Sequence, residues 1–293
     1  MVVQHPPLRE RCPLANVDQA EGLRRMLAVP KPRVFTFLSA LKDEEKSAML
    51  VNLGVSLARQ GQKITMLDAR SAPSSIGTWL SAQNDISLLD VARQQRTMQE
   101  AIKIVASGLS VTMLSRKASM VSELSPETAR QLSKVFDIVA QRADLVVVDV
   151  NLDDDNGFPL SALDHSEVVI QVSADPAAIK NAYGLIKRMS GRLGRRSFSI
   201  LVSGVSEKEA TLIYTNMAQA ASRYLAVPLN YIGYVPEDDH VRKAASLGQS
   251  VIDAFPKARA SVAFSRLATQ LVESARSVMS FEGVPELGVG LGI

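Results

Sequence analysis

The sequence predicts an α/β protein with a doubly wound, mostly parallel sheet and helices on both faces. Three observations predict it. Short apolar runs alternate with segments of helical period along most of the 293 residues. The clearest run, ADLVVVDV at 143–150, is continuous rather than alternating, as in a strand buried on both sides. Hydrophobic residues make up 46% of the chain, enough for the full core of a domain this long.

In chain order, residues 1–16 read as a tail. A helix follows at 17–28 and ends before the Pro30-Lys31-Pro32 break. An apolar strand at 34–39 leads through a short loop to a helix at 46–60, and KITMLD at 63–68 is the next strand. Helical pieces are expected at 74–80, 88–93 and 98–106, then a strand at 109–114. SPETARQLSKVFDIVAQR, 125–142, has a clear helical period and precedes the 143–150 strand. EVVIQVS at 167–173 is a strand, and Pro176 sits in the first turn of a helix running to Leu193, where its missing N–H costs nothing. Strand 198–204, helix 207–224 and strand 229–235 continue the alternation, and helices at 238–245 and 258–281 close it. The Gly-rich GVPELGVGLGI that follows reads as a flexible tail. No internal repeat is evident.

Composition excludes several classes. A net charge of +3 does not suggest a general nucleic-acid binder. A single cysteine, Cys12, rules out an intramolecular disulfide and suits a reducing compartment. His5, His165 and His240 are scattered without ligand spacing, so no metal site is expected. No apolar run approaches the ~18 residues of a spanning helix, and the start, MVVQHPPLRERCPLAN, has charges and prolines where a signal peptide needs an apolar core. The expected location is cytoplasmic, at most peripheral at the inner face of a membrane.

The segment from Phe35 to Arg70 reads strand, loop, helix, strand, with Lys46-Ser47 at the helix opening. P-loop NTPases place a triphosphate there, on Gly-rich backbone N–H groups and a Lys-Ser/Thr pair. With VNLGVSLARQGQKITMLDA (51–69), ADLVVVDV, SEVVIQVSADPAAIKNAYGLIK (166–187) and YIGYVPEDDHVRKAA (231–245), the chain resembles the MinD/ParA family of deviant-P-loop ATPases over about residues 17–275. DQAEGLRRM at 18–26 resembles the N-terminal motif of the flagellar-number branch, the FlhG/FleN type. The resemblance implies three parts: a tail with a partner-binding helix (1–32), a MinD-like α/β domain (33–281) and a flexible tail (282–293).

The resemblance also exposes a decayed loop. The family form is Lys-Gly-Gly-x-Gly-Lys-Ser/Thr, and this chain reads Ala40-Leu41-Lys42-Asp43-Glu44-Glu45-Lys46-Ser47. Leu41 stands at the signature lysine, and Lys42, Asp43 and Glu45 stand where glycines are expected. Side chains there obstruct the positive φ and close approach that phosphate binding needs. A like-charge pair near 5 Å costs about 3 kcal/mol at an effective dielectric of 20, so a few acidic contacts would erase micromolar affinity. The switch I pattern Asp-x-Asp reads Asp68-Ala69-Arg70, the switch II glycine is missing after Asp149, and the adenine-facing Asn is Ser203. Lys46, Ser47, Asp68 and Asp149 are therefore read as a vestigial nucleotide site, with no catalytic residues and no cofactor expected; ATP and Mg²⁺ enter only if the loop still binds. Two plainer readings stand beside it: Lys46-Ser47 as a simple helix start, and Asp68 and Asp149 as carboxylates bonding loop N–H groups. Asp43, Glu44 and Glu45 at a helix N-terminus are further expected to stand in for phosphate, with Lys46 as their partner.

Two surfaces complete the reading. In helix 17–28, Ala20, Leu23 and Leu27 share a side. Packing on its own domain is one role; the role the resemblance implies is that Asp18, Gln19, Ala20, Leu23 and Arg24 engage a signal-recognition-type flagellar GTPase and stimulate it. A flagellar transcription activator or switch proteins are further partners of the family. In the last helix Val262, Phe264, Leu267, Leu271, Val272, Ala275 and Met279 recur at near-helical spacing beside few arginines, which suits core packing better than membrane contact. The sequence thus reads as a regulator of flagellar number or placement with impaired or lost ATP chemistry. The rival is an active ATPase switch that dimerises on ATP and docks on membrane; partition and polysaccharide-secretion roles fit the N-terminal motif less well.

Overall fold

The computed structural model describes residues 32–70, 74–82, 84–117, 119–152 and 157–281, with side chains as far as Glu273. Eight strands, β1 (Arg33–Ser39), β2 (Ile64–Asp68), β3 (Lys103–Ala106), β4 (Leu109–Met113), β5 (Leu145–Asp149), β6 (Glu167–Val172), β7 (Phe198–Ser203) and β8 (Leu229–Val235), form one sheet. Its order is β3-β4-β2-β5-β1-β6-β7-β8. Every neighbouring pair is parallel except β3–β4. The doubly wound, mostly parallel sheet expected from the sequence is the fold observed.

Both faces are buried, and the strands show why their sequences are apolar throughout. Along β5, Val146 and Val148 pack into one core, while Leu145 and Val147 pack into the other. In β6, Val168 and Ile170 face the first core and Val169 the second. The second core lies under α1 (Asp43–Arg59), whose Leu50, Leu53 and Leu57 are buried against Phe35, Phe37 and Met66. Gly54 lets this helix settle close to the sheet: a Cβ there would lie 2.6 Å from Met66 Sδ.

The remaining described helices are α2 (Ile76–Trp79), α3 (Leu88–Ala92), α4 (Met98–Ala101), α5 (Ser119–Ser122), α6 (Pro126–Ala140), α7 (Pro176–Leu193), α8 (Glu207–Leu225), α9 (Asp239–Ser246), α10 (Val251–Ala254) and α11 (Arg259–Phe281), with a 3₁₀ turn at Ser161–His165. Three expectations need correction. The helix expected at 98–106 stops at Ala101: Thr97 and Glu100 form a capping box for a single turn, and the β-branched Ile102, Ile104 and Val105 then favour strand β3. Helix α1 begins at Asp43 rather than Lys46, with Lys42 as an N-cap that makes no side-chain cap bond. The short helices α5 and α10 and the 3₁₀ turn have no counterpart in the sequence reading; four or five residues carry too little periodicity to register.

Helix α11 buries Phe264, Leu267 and Leu271, while Val262 is exposed. The stripe is core at Phe264, Leu267 and Leu271 and partly buried at Val272, and Ala275 and Met279 fall beyond the described side chains. Among the described residues no helix is long and apolar enough to cross a membrane. The expected helix at 17–28, with Asp18, Gln19, Ala20, Leu23 and Arg24, and the tail at 282–293 lie outside the described residues.

Candidate functional site: a buried charge cluster at the strand ends

The carboxyl ends of β1, β2 and β5 meet beside the start of α1, the place where open α/β sheets bind their ligands. Register alone brings two carboxylates together: Asp68 on β2 is the Cα partner of Asp149 on β5. The loop from Ser39 to Lys42 leads from β1 into α1, which carries Lys46 and Ser47 on its buried side. All four residues read as the vestigial site thus converge on one end of the sheet.

What they hold is each other, through Arg70. The Lys46 ammonium donates to the Val150 carbonyl at 2.6 Å and lies 2.8 Å from Asp149 Oδ1. Arg70 Nε donates to Asp149 Oδ2 at 2.8 Å, its Nη2 donates to Ser47 Oγ at 2.5 Å, and its Nη1 lies 2.6 Å from Asp43 Oδ1. The Arg70 N–H donates to Asp68 Oδ1, and Ser47 Oγ donates in turn to the Ser74 carbonyl. The Lys46, Arg70 and Asp149 side chains have at most 1% of their surface exposed, whereas Asp43 is half exposed and closes the cluster on its outer side. Burial lowers the Lys46 pKa from its usual range. Asp149 and, more weakly, Asp43 pull it back up, and Arg70 reinforces the lowering.

Two N–H groups at the start of the loop are already engaged. The Ala40 N–H donates to the Gln171 carbonyl, and the Leu41 N–H to Ser39 Oγ. Lys42 has φ −65°, and no described residue of the loop has positive φ. Ser203, at the adenine-facing position, accepts from Gln171 Nε2 at 3.0 Å, and Gln171 Oε1 accepts from Ser39. Among the described residues no group of three or more His, Cys, Asp or Glu side chains is placed to hold a metal ion.

The phosphate stand-in expectation needs one correction. Lys46 does not partner the acidic triplet; it pairs with Asp149, and Arg70 takes Asp43, while Glu44 and Glu45 point to solvent. Sequence reasoning treated Arg70 as a lost carboxylate and missed it as the centre of the cluster. The available signal was an arginine two residues beyond a strand-end aspartate, facing a second strand-end aspartate.

A central parallel sheet with a strand–loop–helix unit at its switch point, Lys-Ser on the helix and an aspartate closing β5, defines a P-loop NTPase fold of the MinD/ParA type. Solved structures agree. MinD in the MinC:MinD cell division complex of Aquifex aeolicus matches with TM-score 0.63 at 16% identity, over 82% of this chain and 96% of that one. A ParA family ATPase from Chlorobium tepidum gives 0.63 at 17% identity, over 83% and 100%. In sequence the chain is similar to the antiactivator FleN of Pseudomonas aeruginosa, to which it is 26% identical over 227 residues, covering 77% of this chain and 81% of FleN. No family model matches it.

The cluster does not fit magnesium and a nucleotide. P-loop enzymes hold Mg²⁺ with the P-loop Ser/Thr and a strand-end Asp. Here Ser47 Oγ and Asp149 Oδ2 both accept from the Arg70 guanidinium. The Lys46 ammonium, which would reach phosphate, is turned onto Asp149 and a carbonyl. An apolar Leu41 and an acidic Asp43 stand in the loop at the opening of α1, where a polyanion would favour a cation and bare backbone.

Proposed function

We propose that this protein is a regulator of flagellar number or placement that works by protein–protein contact, with nucleotide binding and hydrolysis lost. One observation carries the loss: Arg70 is bonded at once to Ser47 and Asp149, the two side chains a magnesium ion would need. Likeness to an antiactivator supports the regulatory role. A related fold, MinD, also assembles with a second protein, MinC.

The partner surface in this reading is the N-terminal stretch carrying Asp18, Gln19, Ala20, Leu23 and Arg24, and the partner is a signal-recognition-type flagellar GTPase. A glutamine and an arginine supplied in trans can orient water and offset charge in phosphoryl transfer. A flagellar transcription activator or switch proteins would engage the domain itself. The protein works in the cytoplasm.

Calorimetric titration of the full chain with Mg–ATP and with Mg–ADP tests the loss. No binding is expected at micromolar concentrations; micromolar binding of either would restore the ATPase-switch reading. Gln19→Ala with Arg24→Ala in the full chain should abolish stimulation of the GTPase, and an unchanged GTPase rate would remove the partner assignment.

A further inference from the structure

We infer that Arg70 is a built-in cation that takes the place of a divalent ion. It fastens together the start of α1, the ends of β2 and β5, and the entry to α2, so that they stay joined without any ligand. The inference rests on the nucleotide-free reading above and adds what replaces the ligand.

The guanidinium makes contacts to three elements. Asp43 and Ser47 belong to α1, Asp149 ends β5, and the Ser74 carbonyl, which accepts from Arg70 Nη2 at 3.3 Å, leads into α2. Its own backbone N–H is bonded to Asp68 at the end of β2. These are oxygen ligands of three kinds, carboxylate, hydroxyl and carbonyl, gathered around one positive charge, the donor set that hard cations favour. A guanidinium offers five N–H groups in a fixed fork, so it can serve more such oxygens at once than an ammonium with its three. In nucleotide switches the γ-phosphate and its magnesium hold the corresponding segments and release them on hydrolysis. A covalently attached cation cannot be released.

The consequence is testable through the single tryptophan, Trp79, which sits in α2 just beyond Ser74 and reports on that segment. The wild-type chain should show the same melting temperature and the same Trp79 emission with Mn²⁺, with Mg²⁺ and with chelator. Arg70→Ala should melt about 6–10 °C lower, the loss expected when buried charges are left without their partner. Millimolar Mn²⁺ alone should restore much of that loss in Arg70→Ala, because the Asp43 carboxylate, the Oδ2 of Asp149 and the Ser47 hydroxyl lose their cation together. An Arg70→Ala chain that folds but gains nothing from Mn²⁺ would make Arg70 an ordinary structural arginine and overturn the inference.

Arg70→Lys is the second variant, for the case where Arg70→Ala does not fold. It keeps the charge but not the fork, so it should melt below wild type and remain indifferent to Mn²⁺. Arg70→Lys as stable as wild type would also overturn the inference, as would a wild-type chain stabilised by Mn²⁺. Mg–ATP binding by the wild type would sink both this inference and the proposed function. Failure of Mn²⁺ rescue with no Mg–ATP binding would sink this inference alone.

Discussion

Asp149 is the carboxylate shared by Lys46 and Arg70: one oxygen lies 2.8 Å from the ammonium and the other 2.8 Å from the guanidinium Nε. All three side chains are buried. Removing the shared anion therefore leaves two buried cations without their common partner, with Asp43 against Arg70 and Asp68 at the neighbouring strand end. Asp149→Asn is expected to cost about 3–5 kcal/mol, the usual penalty for breaking a buried pair from one side. Urea denaturation measures it; a cost under about 1 kcal/mol would mean that water reaches the cluster.

Arg33 and Glu167 make a contact of similar length at 2.5 Å, yet Glu167 is 46% exposed. Water and salt screen the pair, and exposed pairs contribute at most about 1 kcal/mol. Glu167→Gln should fall within that limit by the same denaturation experiment. A several-fold difference in cost at similar contact length, although Arg33 grips both Glu167 oxygens, would show that burial outweighs distance.

Gly233 in β8 has φ +122°, and a Cβ there would lie 2.6 Å from Leu267 Cδ2 of α11. Gly233→Ala combines backbone strain with a clash against a buried side chain, and should cost about 1–3 kcal/mol. Adding Leu267→Ala should relieve the clash but not the strain. The double variant is then more stable than the sum of the two single losses, and a double-mutant cycle reads the coupling directly. Strict additivity would show that the clash is not what costs.

Asp238 caps α9 through the His240 N–H and reaches the start of α11 through the Ala260 N–H. Burial alone would raise its pKa; the hydrogen bonds from Ala260 and His240 outweigh that and hold it at about 2. An unfolded aspartate titrates near about 3.9. Because the folded value is the lower one, the ionised group stabilises the fold above about 4, and that contribution is lost as the pH falls towards about 2. Asp238→Asn should lower the melting temperature near neutrality, and the gap to wild type should narrow through that acid window. A gap that stays constant with pH would show that charge plays no part.

The fold was legible because buried parallel strands announce themselves: Val146 to Val148 could only sit between two cores. The edge was less legible. Lys103–Ala106 forms a four-residue strand whose Ile104 is 84% exposed, so it shows neither alternation nor burial. Lys46, Ser47, Asp68 and Asp149 were legible as a group because each ends an element or lies within its first turns. Arg70 was not, since its ties to Ser47 and Asp149 span 23 and 79 residues and leave no local pattern. The start of α1 was misplaced because Lys46-Ser47 marks the opening in related loops, whereas three acidic residues at Asp43–Glu45 favour an earlier start here, beside the positive helix end.

The tie between Asp43 and Arg70 couples two positions that lie 27 residues apart in sequence. Replacing Asp43 with glycine by itself would take one carboxylate from the Arg70 guanidinium and leave it Asp149, Ser47 and the Ser74 carbonyl. Swapping Arg70 for an acid by itself would crowd a new carboxylate against Asp43, Asp68 and Asp149. Each single change thus upsets the charge balance that the other residue supplies, so the two positions can be altered without that cost only as a pair.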